Sequence, residues 1–191
     1  TYLNSSFCLN NKLVGIVGGG NIGRQVAAKV QAFGAQVQYY DAYRLPAGVE
    51  EGCRMTYVPL ERLIETSDII SLHVPLLDST RHMLGGEEMR RMKDGAVIIN
   101  TARGGLVDDE ALVRAVRSGK LAGAGLDGVE REPLPAGDPL LTESNIIVTP
   151  HIGGGTADIG DVIIPMLVRD IQDFTAGREP VHIVNQKFLR K

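Results

Sequence analysis

Three side chains of complementary chemistry stand in turns bounded by glycine or proline. They are Arg103 in Thr101-Ala-Arg-Gly-Gly105, Glu132 in Glu130-Arg-Glu-Pro133, and His151 in Pro150-His-Ile-Gly-Gly-Gly155. A planar guanidinium grips a carboxylate through two parallel hydrogen bonds. An imidazole exchanges a proton near neutral pH, and a carboxylate beside it fixes the ring and strengthens its hold on that proton. Removing a hydride from a secondary alcohol requires a base for the hydroxyl proton, so the set matches that chemistry. Spacing alone does not bring the three together. Arginines more often pair with surface acids, and Glu130 offers the same chemistry as Glu132.

A second constellation lies near the start: Leu13 to Val17, an apolar run, meets Gly18-Gly-Gly20-Asn21-Ile22-Gly23, and Ile22, Val26, Val30 and Phe33 then share one helical face. This is a strand, a tight turn and a helix. Gly18 permits the turn, Gly20 lets the backbone approach a diphosphate, and Gly23 lets the helix pack closely on the strand. The free N–H groups of the helix start favour an anion. A second strand from Gln36 ends on Asp41, about 20 residues past the glycines, where a carboxylate accepts both hydroxyls of an adenosine ribose. That predicts NAD rather than NADP, since Asp41 repels a 2′-phosphate that Arg44 would otherwise attract. The alternative is a structural strand–helix turn that binds nothing.

The remaining elements place the first three residues. Residues 42–52 read as a loop, 53–58 as a short strand and 60–66 as a short helix. Residues 68–75 read as a buried strand stopped by Pro75, which puts His73, Val74, Pro75 and Thr80 at a cofactor crevice; a packed strand-end histidine is the alternative for His73. A helix over 87–93 leads to the strand 96–100 and thus to Arg103. Asp108 caps a helix that exits at Gly119. The strand 121–126 ends on Asp127, a proline- and glycine-rich loop carries Glu132, and the strand 146–149 ends before His151. Alternating strands and helices predict a doubly wound parallel sheet. An apolar stripe from Ile159 to Phe174 predicts a last helix, with a kink or break near Ile164 because Pro165 lies inside it.

At 191 residues the chain suits one domain with an appendage, divided as a lead-in 1–12, a dinucleotide-binding domain 13–176 and a tail 177–191. With 20 basic and 23 acidic residues, nothing points to nucleic acid or an anionic membrane, so the expected partner is a small molecule. Cys8 and Cys53 form no disulfide framework or metal spacing, and no apolar run approaches the roughly 18 residues of a spanning helix. A cytoplasmic protein without a metal is expected. Thr1 in place of a start methionine reads as an excised or processed end.

The runs Gly18–Gly23, His73-Val-Pro-Leu, Asn100-Thr-Ala-Arg-Gly-Gly-Leu-Val-Asp108, Gly125-Leu-Asp-Gly-Val-Glu-Arg-Glu-Pro-Leu134 and Pro150-His-Ile-Gly-Gly resemble the D-isomer-specific 2-hydroxyacid dehydrogenases, which include phosphoglycerate dehydrogenase and glyoxylate/hydroxypyruvate reductases. The resemblance spans about residues 12–176. It implies that Arg103 binds the carboxylate and carbonyl of a 2-hydroxy or 2-keto acid, that His151 is the acid/base, and that Glu132, directly before the proline, is its partner. It implies NAD contacts from Gly18, Gly20, Asn21, Ile22, Gly23, Asp41, Val74, Pro75, Thr80, Thr101, Ala102, Arg103, Asp127, His151, Gly153 and Gly154, and a homodimer. Gly19, Gly128-Val129 and Pro165 depart from the family pattern. The substrate domain that precedes the cofactor domain in such enzymes is largely absent, so this piece is expected to bind NAD yet turn over poorly. The C-terminal-binding-protein corepressors resemble the same family and keep a similar triad, which leaves an NAD(H)-responsive interaction protein as the alternative. Formate dehydrogenase, with glutamine in place of Glu132, is the nearer enzymatic rival.

Overall fold

In the computed structural model residues 7–183 are described; residues 1–6 of the expected lead-in and 184–191 of the expected tail lie outside the described residues. The chain forms two compact units that divide between Ile152 and Gly153.

In the first unit, β1 (Leu13–Val17), β2 (Gln36–Tyr40), β3 (Thr56–Tyr57), β4 (Ile69–Leu72), β5 (Ala96–Asn100), β6 (Leu121–Leu126) and β7 (Ile146–Val148) form one parallel sheet in the order β3-β2-β1-β4-β5-β6-β7. This is the doubly wound arrangement expected. Strands such as β1 and β5 are nearly continuous apolar runs because helices cover both faces. Alternation along β1 sends Val14 and Ile16 into one core, with Ala27, Val37 and Tyr39, and Val17 into the other, with Leu63, Ile70, Leu72, Ile98 and Leu112. Each fully buried leucine or isoleucine contributes roughly 1.5–3 kcal/mol. The helices that cover the sheet are α1 (Asn21–Ala32), α3 (Leu60–Thr66), α4 (Gly86–Arg91) and α5 (Asp109–Arg117). Both margins of the sheet are short, two residues in β3 and three in β7.

From β1 the chain winds outward through β2 and β3, then returns to the other side of β1 as β4. Such a reversal opens a crevice at the carboxyl ends of the strands, where open sheets bind ligands. The turn after β1 and the chain after β4 meet there: a Cβ on Gly18 would lie 2.6 Å from the His73 carbonyl oxygen.

Two short helices were not expected. Residues 42–52 hold α2 (Ala47–Cys53), so the strand expected over 53–58 shrinks to Thr56–Tyr57. Gly48 and Gly52 are poor helix formers, but Glu50 is held by the Tyr39 hydroxyl and by Nε and Nη2 of Arg44, and Arg54 closes the helix at a φ of 51°. The second, α6 (Pro139–Thr142), follows Asp138, whose carboxylate accepts the Leu140 N–H, with proline in its first turn.

The second unit holds α7 (Ile159–Thr175), which runs through Pro165 without the expected break. Proline removes one hydrogen bond, and the carbonyl it orphans belongs to exposed Asp161, where water can take it. The tail folds onto the helix end: His182 Nδ1 and the Val181 N–H both meet the Asp170 carboxylate.

Candidate active site

The glycine turn has the form its residues require. Gly18 adopts a φ of 103°, a conformation side chains resist. A Cβ on Gly23 would fall 2.0 Å from the Gly18 carbonyl, so α1 packs closely on β1 only because glycine is there. A Cβ on Gly20 would meet nothing within 4 Å, so open space lies above the first turn of α1, which holds Asn21 and exposed Ile22. At the end of β2, Asp41 accepts the Gly19 N–H at 2.7 Å and the Tyr43 N–H at 3.0 Å. The carboxylate thus stands against the turn. Arg44 is bound bidentately to Glu50 and lies over the Tyr57 ring; the Arg44 and Tyr39 hydrogen bonds hold the Glu50 carboxyl at about 2. A 2′-phosphate would meet Asp41 without a free cation from Arg44. The residues therefore fit NAD: open backbone donors for a diphosphate and a carboxylate for two ribose hydroxyls.

A cleft of about 410 Å³ lies beyond β4 and β5, lined by Ile22, His73, Val74, Pro75, Thr101, Ala102 and Arg103 among others. His73 bonds the Ser71 hydroxyl at 2.9 Å, and burial pushes its pKa below the usual value, so it faces the cleft neutral. Thr80 is occupied differently: its hydroxyl donates to the Pro75 carbonyl and accepts the Leu77 N–H, closing the loop that shapes the cleft. The Arg103 guanidinium is exposed and donates to the Ala102 carbonyl at 2.6 Å; among the described residues no carboxylate pairs with it.

A second, mostly apolar cavity of about 520 Å³ is lined by Val129, Glu132, Leu134, Leu141, Pro150 and His151 among others. His151 Nδ1 lies 2.9 Å from one Glu132 oxygen and 3.1 Å from the other, and its Nε2 has no partner among the described residues. The His151 bond, then the Val129 N–H at 3.1 Å, hold the Glu132 carboxyl below the usual carboxylate range. The backbone at His151 is left-handed, with a φ of 55°, which costs a non-glycine residue about 1–2 kcal/mol. Buried Asp127 accepts the Thr149 hydroxyl and the Ile152 N–H, tying β6 to the His151 loop. Glu130, the rival of Glu132, turns the other way: it pairs with His82 and Arg81, and its N–H donates to Asp109.

The structure thus joins Glu132 to His151 directly. Arg103 enters through the backbone, because its loop interlocks with that of Glu132. A Cβ on Gly104 would lie 1.9 Å from the Val129 carbonyl oxygen, and one on Gly128 3.3 Å from the Arg103 Cα. Gly153 and Gly154 belong to the second unit.

The family model for the NAD binding domain of D-isomer specific 2-hydroxyacid dehydrogenases matches residues 4–153. The chain belongs to that family. The chain is 42% identical over 179 residues to a glyoxylate reductase of Korarchaeum cryptofilum, covering 94% of this chain and 54% of that protein. It is 48% identical over 153 residues to a hydroxypyruvate reductase of Thermotoga maritima, covering 78% and 48%. Among solved structures, a D-lactate dehydrogenase with NAD+ from Lactobacillus jensenii superposes with a TM-score of 0.87 at 36% identity, covering 95% of this chain and 58% of that one. The chain therefore spans about half the length of the curated relatives it matches, and, as a member of an NAD binding domain family, it takes NAD as its cofactor. No helix among its described residues is long and apolar enough to cross a membrane.

Proposed function

We propose that this chain is the cofactor half of an enzyme that interconverts D-2-hydroxy acids and 2-keto acids, with His151 as acid/base, Glu132 as its orienting partner and Arg103 as the carboxylate clamp. The observation that carries the reading is the bond of His151 Nδ1 to both Glu132 oxygens, which leaves Nε2 to exchange the proton. When bound, NAD supplies the hydride acceptor and NADH the donor. In the oxidative direction His151 Nε2 takes the hydroxyl proton as the C–H hydride leaves, and the imidazolium formed is stabilised by Glu132. Arg103, with no acid partner among the described residues, neutralises the substrate carboxylate. Asp41 and the open backbone of Gly20, Asn21 and Ile22 hold the dinucleotide, and Val74, Pro75, Thr101 and Ala102 flank its reactive end.

The relatives named glyoxylate and hydroxypyruvate reductase make these two small 2-keto acids the first substrates to try. Fluorescence titration of this chain with NADH is expected to saturate, with NADPH much weaker; no saturable signal removes the reading. In the two-domain parent, His151→Ala is expected to lower kcat roughly 10²–10⁴-fold with NADH affinity nearly unchanged, and unchanged turnover would exclude the acid/base role. A partner captured only with NADH, from a parent that oxidises no 2-hydroxy acid, would favour the interaction-protein alternative. The reading extends to a cytoplasmic location, with which the two free cysteines agree, and to a homodimer, which sedimentation of the parent tests.

A further inference from the structure

Arg103 and Glu132 lie 29 positions apart on different loops, yet one buried side chain touches both loops. Asn100, at the end of β5, is 1% exposed. Its Nδ2 donates to the Arg103 carbonyl at 2.8 Å and reaches the Gly128 carbonyl at 3.5 Å, while its Oδ1 accepts the Ala102 N–H at 3.1 Å. Its own carbonyl accepts the Asp127 N–H at 2.8 Å. A side-chain amide offers two donor hydrogens and an acceptor oxygen with two lone pairs, and this one places both hydrogens and one lone pair on backbone atoms of the two loops.

The contact with Gly128 has a directed consequence. The Gly128 carbonyl and the Val129 N–H belong to one trans peptide unit, so they point in opposite directions. Asn100 holds the oxygen side, and Glu132 accepts the N–H side at 3.1 Å. The amide therefore fixes the plane of the peptide that aims the Glu132 carboxylate, which in turn bonds His151. On its other donor it fixes the turn from which Arg103 projects.

We propose that Asn100 is a positioning residue that sets the carboxylate clamp and the acid/base pair in register, acting through the Arg103 and Gly128 carbonyls without touching substrate. This rests on the roles proposed above for Arg103, Glu132 and His151. Replacing Asn100 by aspartate keeps the acceptor for Ala102 but turns a donor into an oxygen facing two carbonyls; Asn100→Ala removes all three side-chain bonds.

The test uses this chain, with carbon-13 NMR of the Glu132 side-chain carboxyl, assigned through Glu132→Gln, followed against pH in the wild type, Asn100→Asp and Asn100→Ala. In the variants the Glu132 midpoint is expected to rise toward the usual carboxylate range, while NADH titration still saturates because the β1 turn and Asp41 are untouched. A residue that merely filled space would leave that midpoint in place, so a folded, NADH-binding Asn100→Ala with the wild-type Glu132 titration overturns the proposal. A measurement on the wild type covers the case in which neither variant folds: Asn100 Nδ2 is expected to show slow hydrogen exchange and scalar couplings across hydrogen bonds to the Arg103 and Gly128 carbonyl carbons. A rapidly exchanging amide without either coupling also overturns it. Failure of the wild type to bind NADH would instead strike the functional reading and leave the positioning result standing.

Discussion

Glu50 and Asp109 show how single carboxylates take different properties from their surroundings. Glu50 binds Arg44 and the Tyr39 hydroxyl, and so withholds from a 2′-phosphate the Arg44 cation that follows Asp41 by three residues. Glu50→Gln is expected to release Arg44 and narrow the preference for NADH over NADPH, read as the ratio of their dissociation constants; an unchanged ratio would mean that repulsion by Asp41 acts alone. Asp109 lies beneath the Glu132 loop, where burial, and less so the nearby Glu130, Asp138 and Asp108 charges, push its carboxyl from 3.8 to about 6. The folded state therefore binds this proton more tightly than the unfolded one, and stability falls as pH rises from about 4 to about 6, then levels. Discounted for its partial exposure, the penalty above pH 6 is about 1 kcal/mol. Asp109→Asn keeps an acceptor for the Glu130 N–H and is expected to raise the urea midpoint at pH 7.5 but not at pH 4.

Elements explain which parts could be read from residue types. Strands buried on both faces show as apolar runs, and capped helices show in their end residues: Asp108 accepts the Ala111 N–H as its position ahead of α5 implied. The helix α2 was hidden because two glycines argue against it and its support comes from Tyr39 and Arg44, outside its own residues. The signal for α6 was present in Asp138-Pro139 but passed as loop punctuation. The His151–Glu132 pair was legible through a family pattern, whereas the seam between the Arg103 and Glu132 loops was not, because its partners are backbone carbonyls that no side-chain pattern announces. Gly104 marks that seam. Gly104→Ala would press a methyl group against the Val129 carbonyl, with an expected destabilisation of about 1–3 kcal/mol, measured by urea unfolding. Stability equal to wild type would show that the two loops can separate freely.

At the scale of the molecule, the sheet is complete within Thr1–Ile152, while α7 lies in the second unit with no buried side chain. The residues proposed to hold the dinucleotide, Gly18, Gly20 and Asp41, all belong to the sheet unit, so this chain by itself is expected to bind it. At about 100 times its dissociation constant NADH is expected to stabilise this chain by about 2.7 kcal/mol, seen as a rise in the thermal midpoint that NADPH at equal concentration does not reproduce. Absence of the rise in a folded sample would place essential contacts outside these residues.

The brevity of β3 and β7 bears on how such a unit survives alone. A sheet edge is a row of unused amide and carbonyl groups, a template on which stray chains can polymerise. Here the five longer strands lie inside, and each rim offers a foreign strand only two or three residues of purchase. Both rims therefore give a stray chain little template on which to pair.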